Sequence, residues 1–190
     1  MRQDLLTRMP YIEHLSESGN VRQGFTDAAT FERIRENLPE DLRDFAQFAF
    51  STGWRKGEIA SLDWSNVQDG DAVIRLRPDQ AKNGRGRSVP ITGKLVDIVK
   101  RRREARPFRV NGVTRIAHLL FHRGDGSPVR DIRKAWAKAC NAAGASKLLF
   151  HDLRRSAVSA MVAAKVPQLV AMGISGHQTA QHVCKVQHHR

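Results

Sequence analysis

The chain has 190 residues, 41% hydrophobic and 27% charged, which is enough for one well-buried domain with a short appendage. Its 32 Lys and Arg against 19 Asp and Glu give a net charge of +13, favouring a polyanionic partner, either nucleic acid or an anionic membrane surface. No apolar run approaches the roughly 20 residues that span a bilayer, and the opening residues lack the apolar core of a signal peptide.

Two cysteines, Cys140 and Cys184, carry no metal-type spacing, which fits a reducing cytoplasm rather than a disulfide framework. Residues 1–20 hold few apolar anchors and read as a linker or the remnant of a preceding domain. Thr26 is placed to cap a helix over 26–37, with Phe31 and Ile34 facing inward. Pro39 suits the first turn of a second helix carrying Leu42, Phe45, Phe48 and Ala49, and Gly53 ends it. A third helix is expected through Glu58, Ile59 and Leu62 to Trp64.

The pattern changes after Asn66. Residues 73–76 and 87–91 read as short strands, and Asn83-Gly84 between them signals a tight turn. A basic helix is expected over 92–106. A loop with Pro107 and Asn111-Gly112 then leads to the apolar stretch Leu119-Leu120-Phe121. A further helix over 130–143 stops at Gly144, and two more helical segments fill 152–164 and 167–172. The sum is a mostly helical α+β domain with one small antiparallel β-sheet.

Four short motifs carry candidate chemistry. His151 and Arg154, three apart at the head of a helix, share a helical face; a proton carrier beside a guanidinium fork suits phosphodiester chemistry. Arg55 sits where one helix stops and the next begins, and helix N-termini attract phosphate. Lys82 lies beside the expected hairpin turn, from which an ammonium can reach a leaving oxygen. His177 follows Gly176, near the start of the expected last helix. Taken singly, each is equally what a solvated helix end, a turn or a packing histidine carries.

Their order is more informative. Thr52-Gly53-Trp54-Arg55-Lys56-Gly57-Glu58-Ile59, then Leu62-Asp63-Trp64, Lys82-Asn83-Gly84, His151-Asp152-Leu153-Arg154-Arg155 and Gly176-His177 follow one another along the chain. This succession resembles the tyrosine recombinase, or phage integrase, family over residues 21–180, read as its catalytic domain. The resemblance implies transesterification on double-stranded DNA. A tyrosine attacks the scissile phosphate, a 3′-phosphotyrosine forms and a 5′-hydroxyl departs, without ATP, metal or other cofactor. It also implies roles. Arg55 and Arg154 grip non-bridging oxygens, Lys82 protonates the leaving oxygen, His151 moves a proton and His177 donates a hydrogen bond to the phosphate. Family members act as tetramers on DNA, often exchanging C-terminal segments, and carry an N-terminal domain that clasps the duplex. Without that clamp DNA binding is expected to be weaker and strongly salt-dependent.

One element departs from the pattern. The family places its nucleophile nine residues beyond the Gly-His histidine, which is Val186 here, and the single tyrosine of the chain is Tyr11. Residues 181–190 make an aberrant tail. One codon set allowed for residues 180–190, read one base later, encodes RSMFARYNIT and returns a tyrosine opposite Val186, provided that valine is encoded by GTA. A one-nucleotide insertion near the Ala180 codon is therefore expected, as a lesion in the gene or an error in its reading. The alternative is a non-catalytic DNA-binding remnant or decoy. A metal nuclease is disfavoured by the lack of a carboxylate cluster in the constellation, and the histidines at 182, 188 and 189 with Cys184 lack an ordered shell to make a metal site.

Overall fold

A computed structural model describes residues 24–70 and 72–177. The segments expected at 1–20 and 181–190, Tyr11 and Val186 among them, lie outside the described residues.

Helix α1 (Ala28–Glu36) is capped by Asp27 rather than Thr26. The Asp27 carboxylate accepts the Thr30 N–H at 2.7 Å, filling one of the helix's orphan donors. The Thr26 N–H instead donates to Ser156 Oγ at 3.0 Å. Helix α2 (Glu40–Thr52) begins after Pro39, carries Glu40 and Asp41 at its positive end, and stops at Gly53 in the left-handed conformation. Both ends fall where proline and glycine put them.

Helix α3 is shorter than the sequence suggests. It covers only Lys56–Ala60, and Trp64–Asn66 forms a separate 3₁₀ turn capped by Asp63, whose carboxylate accepts the Ser65 N–H at 2.8 Å. Between the two, Leu62 is drawn into extended pairing: its carbonyl accepts the Leu120 N–H at 2.9 Å, and Asp63 bridges Leu119. Tertiary pairing with the apolar stretch at 119–121 outweighs local helix propensity here.

Strands β1 (Val67–Gln68), β2 (Val73–Leu76) and β3 (Arg87–Pro90) form an antiparallel sheet in that order. Ile74 faces Val89 and Leu76 faces Arg87. Ile74, Leu76 and Val89 are buried on one face, as period-two alternation requires. Asn83-Gly84 does make a tight turn, the Gly84 N–H donating to the Ala81 carbonyl at 2.9 Å, but that turn does not join β2 to β3 directly. The strands part after Leu76, and residues 77–86 form a longer loop gathered around Gln80. Its side-chain oxygen accepts from Asn66 Nδ2 at 2.8 Å and from the Arg77 N–H at 3.2 Å, while its Nε2 donates to the Ser61 carbonyl at 2.7 Å.

After α4 (Lys94–Glu104) the chain makes a second, unforeseen sheet. Strands β4 (Pro107–Val110) and β5 (Val113–Ile116) pair antiparallel across Asn111 and Gly112, both at positive φ, the two-residue turn that Asn-Gly favours. Helices α5 (Arg133–Ala142), α6 (Asp152–Ala163) and α7 (Gln168–Ser175) complete the domain. Helix α2 packs against α6 and α4, α1 against α5, and α7 against both α6 and β3. Phe45 and Phe48 of α2 meet Phe121, and Phe48 meets Trp54 edge-on, so the core's aromatic centre lies directly behind the α2–α3 junction. Among the described residues no helix is long and apolar enough to cross a membrane.

Candidate functional site

The site is built on the turn between α2 and α3. Gly53 at φ 69 reverses the chain so that Trp54 points into the core and Arg55 stands at the start of α3. Three residues on, Glu58 is buried at 2% exposure and closes the first turn as the acidic half of a capping box. Its Oε2 accepts the Arg55 N–H at 2.9 Å and its Oε1 accepts Arg55 Nη1 at 2.9 Å.

Glu58 also draws in the sheet. Arg87 at the start of β3 donates from Nη2 to Glu58 Oε2, and the Lys82 backbone N–H lies 3.4 Å from Oε1. Burial alone would raise the Glu58 carboxyl; the Arg55 N–H and the Arg87 guanidinium hold it below its ordinary value. It stays ionised between two arginines.

Arg154 approaches from α6. It is 5% exposed, and its Nη1 donates to the Gly53 carbonyl at 2.6 Å and to the Ser175 carbonyl. Nη1 makes both bonds, and Nε and Nη2 have no further hydrogen bond among the described residues. Burial, then the neighbouring charges of Arg55 and Arg87, push its pKa down to about 10. It remains a cation at neutral pH, in a cluster of cations that favours an incoming anion.

His151 precedes α6 by one residue and is exposed. Desolvation of its inner side, then Arg154, lower its pKa, with Arg155 and Arg55 adding to the effect against Asp152. The imidazole is thus kept neutral beside the guanidiniums, the form able to accept a proton. His177 stands just beyond α7, after Gly176 at φ 73, with Nδ1 2.8 Å from Ser175 Oγ. Gly176 is the left-handed C-cap of α7 and the histidine follows it directly; the last helix expected to begin near His177 falls on residues outside the described ones.

Of the five residues singled out from sequence, Arg55, Arg154 and His151 fall within one electrostatic neighbourhood. His177 joins it through Ser175, whose carbonyl Arg154 holds. Lys82 reaches it through its backbone, with its side chain exposed on the 77–86 loop. Sequence reasoning missed Glu58, Arg87 and Ser175. Glu58 carried a signal, the N-cap-to-N3 spacing after Arg55. Arg87 and Ser175 carried none, since nothing local shows that β3 and the end of α7 meet. Among the described residues no group of three His, Cys, Asp or Glu side chains is arranged to hold a metal ion.

Comparison with known proteins agrees with this architecture. The chain is 25% identical over 194 residues to the integrase of Salmonella phage P22, covering 97% of this chain and 48% of that protein. It is 33% identical over 137 residues to a putative integrase/recombinase of Haemophilus influenzae, covering 69% and 32% respectively. The chain therefore spans about half or less of the length of these relatives. The fold superposes on lambda integrase bound to a core site with a TM-score of 0.72 at 18% identity, over 90% of this chain and 61% of that one. It also superposes on the catalytic domain of bacteriophage HP1 integrase at 0.62 and 21% identity, over 88% of each. The model of the phage integrase family matches residues 25–190, and on that match the chain belongs to the phage integrase family, the tyrosine recombinases.

Proposed function

We propose that this chain carries the phosphate-handling half of site-specific DNA recombination, acting on double-stranded DNA in the cytoplasm as one copy of a tetramer. The carrying observation is the cluster at the α2–α3 junction, where Arg55, Arg154 and His151 share one field around a buried, ionised Glu58. Charge develops on the non-bridging oxygens in phosphoryl transfer, and fixed guanidiniums placed there beforehand lower that barrier. In this reading Arg55 and Arg154 receive those oxygens, and His177 donates a further hydrogen bond. His151 takes the nucleophile's proton and Lys82 protonates the departing 5′-oxygen. Atoms balance without a cofactor: one P–O bond forms, one breaks, and each oxygen exchanges a proton.

Lambda integrase was solved as a dimer on a core site and as a tetramer on a Holliday junction, which supports duplex DNA and further copies of the chain as partners. The net charge of +13 points the same way. With Val186 at the nucleophile position, the chain as written grips a phosphate without cutting, and a tail reading RSMFARYNIT restores the attacking tyrosine.

The test uses a pool of nicked duplexes of random sequence, from which covalent protein–DNA adducts are recovered. The chain with the RSMFARYNIT tail is expected to yield a 3′-phosphotyrosyl adduct insensitive to EDTA, and the chain as written none. No adduct from the restored chain, with duplex binding intact, would overturn the catalytic reading and leave a DNA-binding decoy.

A further inference from the structure

We propose that Arg87 is the positioning residue that keeps the arginine pocket able to take a phosphate, by sharing the negative charge of Glu58 and bracing the Gly176–His177 turn. This rests on the reading of Arg55 and Arg154 as phosphate ligands. Arg87 lies on β3, outside every motif singled out from sequence, with its side chain 6% exposed. Its Nη2 bonds Glu58. Its guanidinium carbon sits 4.9 Å from the centre of the Trp54 ring, and a Cβ built on Gly176 would fall 2.8 Å from that same carbon. One planar group is therefore wedged between the start of α3 and the end of α7. Trp54 stitches the same two segments a second time, its Nε1 donating to the Ile174 carbonyl at 2.7 Å.

Packing alone does not account for a guanidinium here. Nε and Nη1 of Arg87 are buried without a hydrogen-bond partner among the described residues, a cost that an apolar side chain of equal length would avoid. What the charge does is visible at Glu58. That single carboxylate faces both Arg55 and Arg87. Were Arg87 neutral, Glu58 would pair with Arg55 alone and quench it. With Arg87 present the group keeps an excess of positive charge, and Arg55 retains field to offer an anion. The stack on Trp54 and the contact with Gly176 fix where that charge sits, next to the turn that presents His177.

The inference is tested on the full chain as it stands, with inorganic orthophosphate as the probe at constant ionic strength. The arginine Nε–Hε and histidine ring signals are followed by NMR. In the unsubstituted chain the signals of Arg55, Arg154 and His177 are expected to move together and saturate. Arg87→Met should weaken that response about tenfold, equivalent to about 1.4 kcal/mol, while Arg87→Lys, which keeps the charge, should stay within about threefold of the unsubstituted chain. Gly176→Ala tests the same wedge without removing the guanidinium, since its Cβ displaces Arg87, and should weaken phosphate several-fold even if Arg87→Met does not fold. Wild-type affinity in Arg87→Met or Gly176→Ala, or equal loss in Arg87→Lys and Arg87→Met, overturns the inference. Silence at Arg55 and Arg154 in the unsubstituted chain overturns the phosphate-pocket reading itself, and the inference with it.

Discussion

Arg154 and Ser175 are joined across the domain: one nitrogen of the α6 arginine donates to the last carbonyl of α7 and, through its second hydrogen, to the Gly53 carbonyl closing α2. A residue proposed to hold substrate is thereby also a tie among three helices. Arg154→Ala leaves both buried carbonyls without that donor and should cost about 2–4 kcal/mol of stability, read by chemical denaturation. Arg154→Lys restores one donor and should recover part of that loss without recovering cleavage in the tyrosine-restored chain, because an ammonium lacks the planar fork. Full cleavage by Arg154→Lys would show that a point charge suffices.

Glu58→Gln keeps the shape of the buried side chain and removes its charge. Arg55 and Arg87 would then face each other across a neutral amide, so the substitution should cost about 3–5 kcal/mol, the range for breaking a buried pair from one side. The loss should shrink when Arg87→Met is combined with it, since the stranded cation is then gone. A double-mutant cycle on unfolding free energies measures that coupling; strict additivity would mean that Arg87 and Glu58 do not act as a pair.

His151 gives the site a pH dependence of definite sign. Its folded-state pKa is depressed below the ordinary value of about 6.5, so below that pH the unfolded chain binds more protons than the folded one. The stability tied to the neutral imidazole is present at pH 7 and above. It is lost as pH falls from about 6.5 through the lower folded value. A ring titration by NMR should show the depressed midpoint. Docking an anion between Arg55 and Arg154 should raise it, because the guanidiniums that disfavour the imidazolium are then neutralised. An unchanged midpoint in saturating phosphate would separate His151 from the arginine pocket.

How much of this was legible beforehand follows the range of the interactions. Helix α2 was readable at both ends because Pro39 and Gly53 act on their own backbone. The β2–β3 pair was readable from alternation. Its connection was not, because Gln80 and Asn66 organise the loop through side chains that a turn signal does not encode. The same Asn-Gly signal was right at Asn111-Gly112, where it went unused because exposed β5 shows no alternation of buried positions. Within the site, the residues that touch substrate in the proposed mechanism stood out as motifs. Those that hold them, Arg87 and Ser175, depend on β3 meeting α7 across nearly half the chain.

Gly53 is the position where that support is most exposed to a small change. Its φ of 69 lies in the left-handed region, and a Cβ there would sit 3.3 Å from Ala157 Cβ and 3.4 Å from both the Arg154 carbonyl and Ser175 Cβ. Gly84 has nearly the same φ, 67, with nothing within 4 Å of the added carbon. Gly84→Ala should therefore show the conformational cost alone, about 1 kcal/mol. Gly53→Ala should show that cost plus the crowding, about 2 kcal/mol or more in total, and should also weaken orthophosphate at Arg154, whose partner carbonyl belongs to Gly53 itself. Asparagine, which tolerates the left-handed region, should relieve the penalty at 84 and not at 53. If Gly53→Asn proves as stable as the unsubstituted chain and binds phosphate equally well, the tight junction between α2, α6 and α7 is not what holds Arg154 in place.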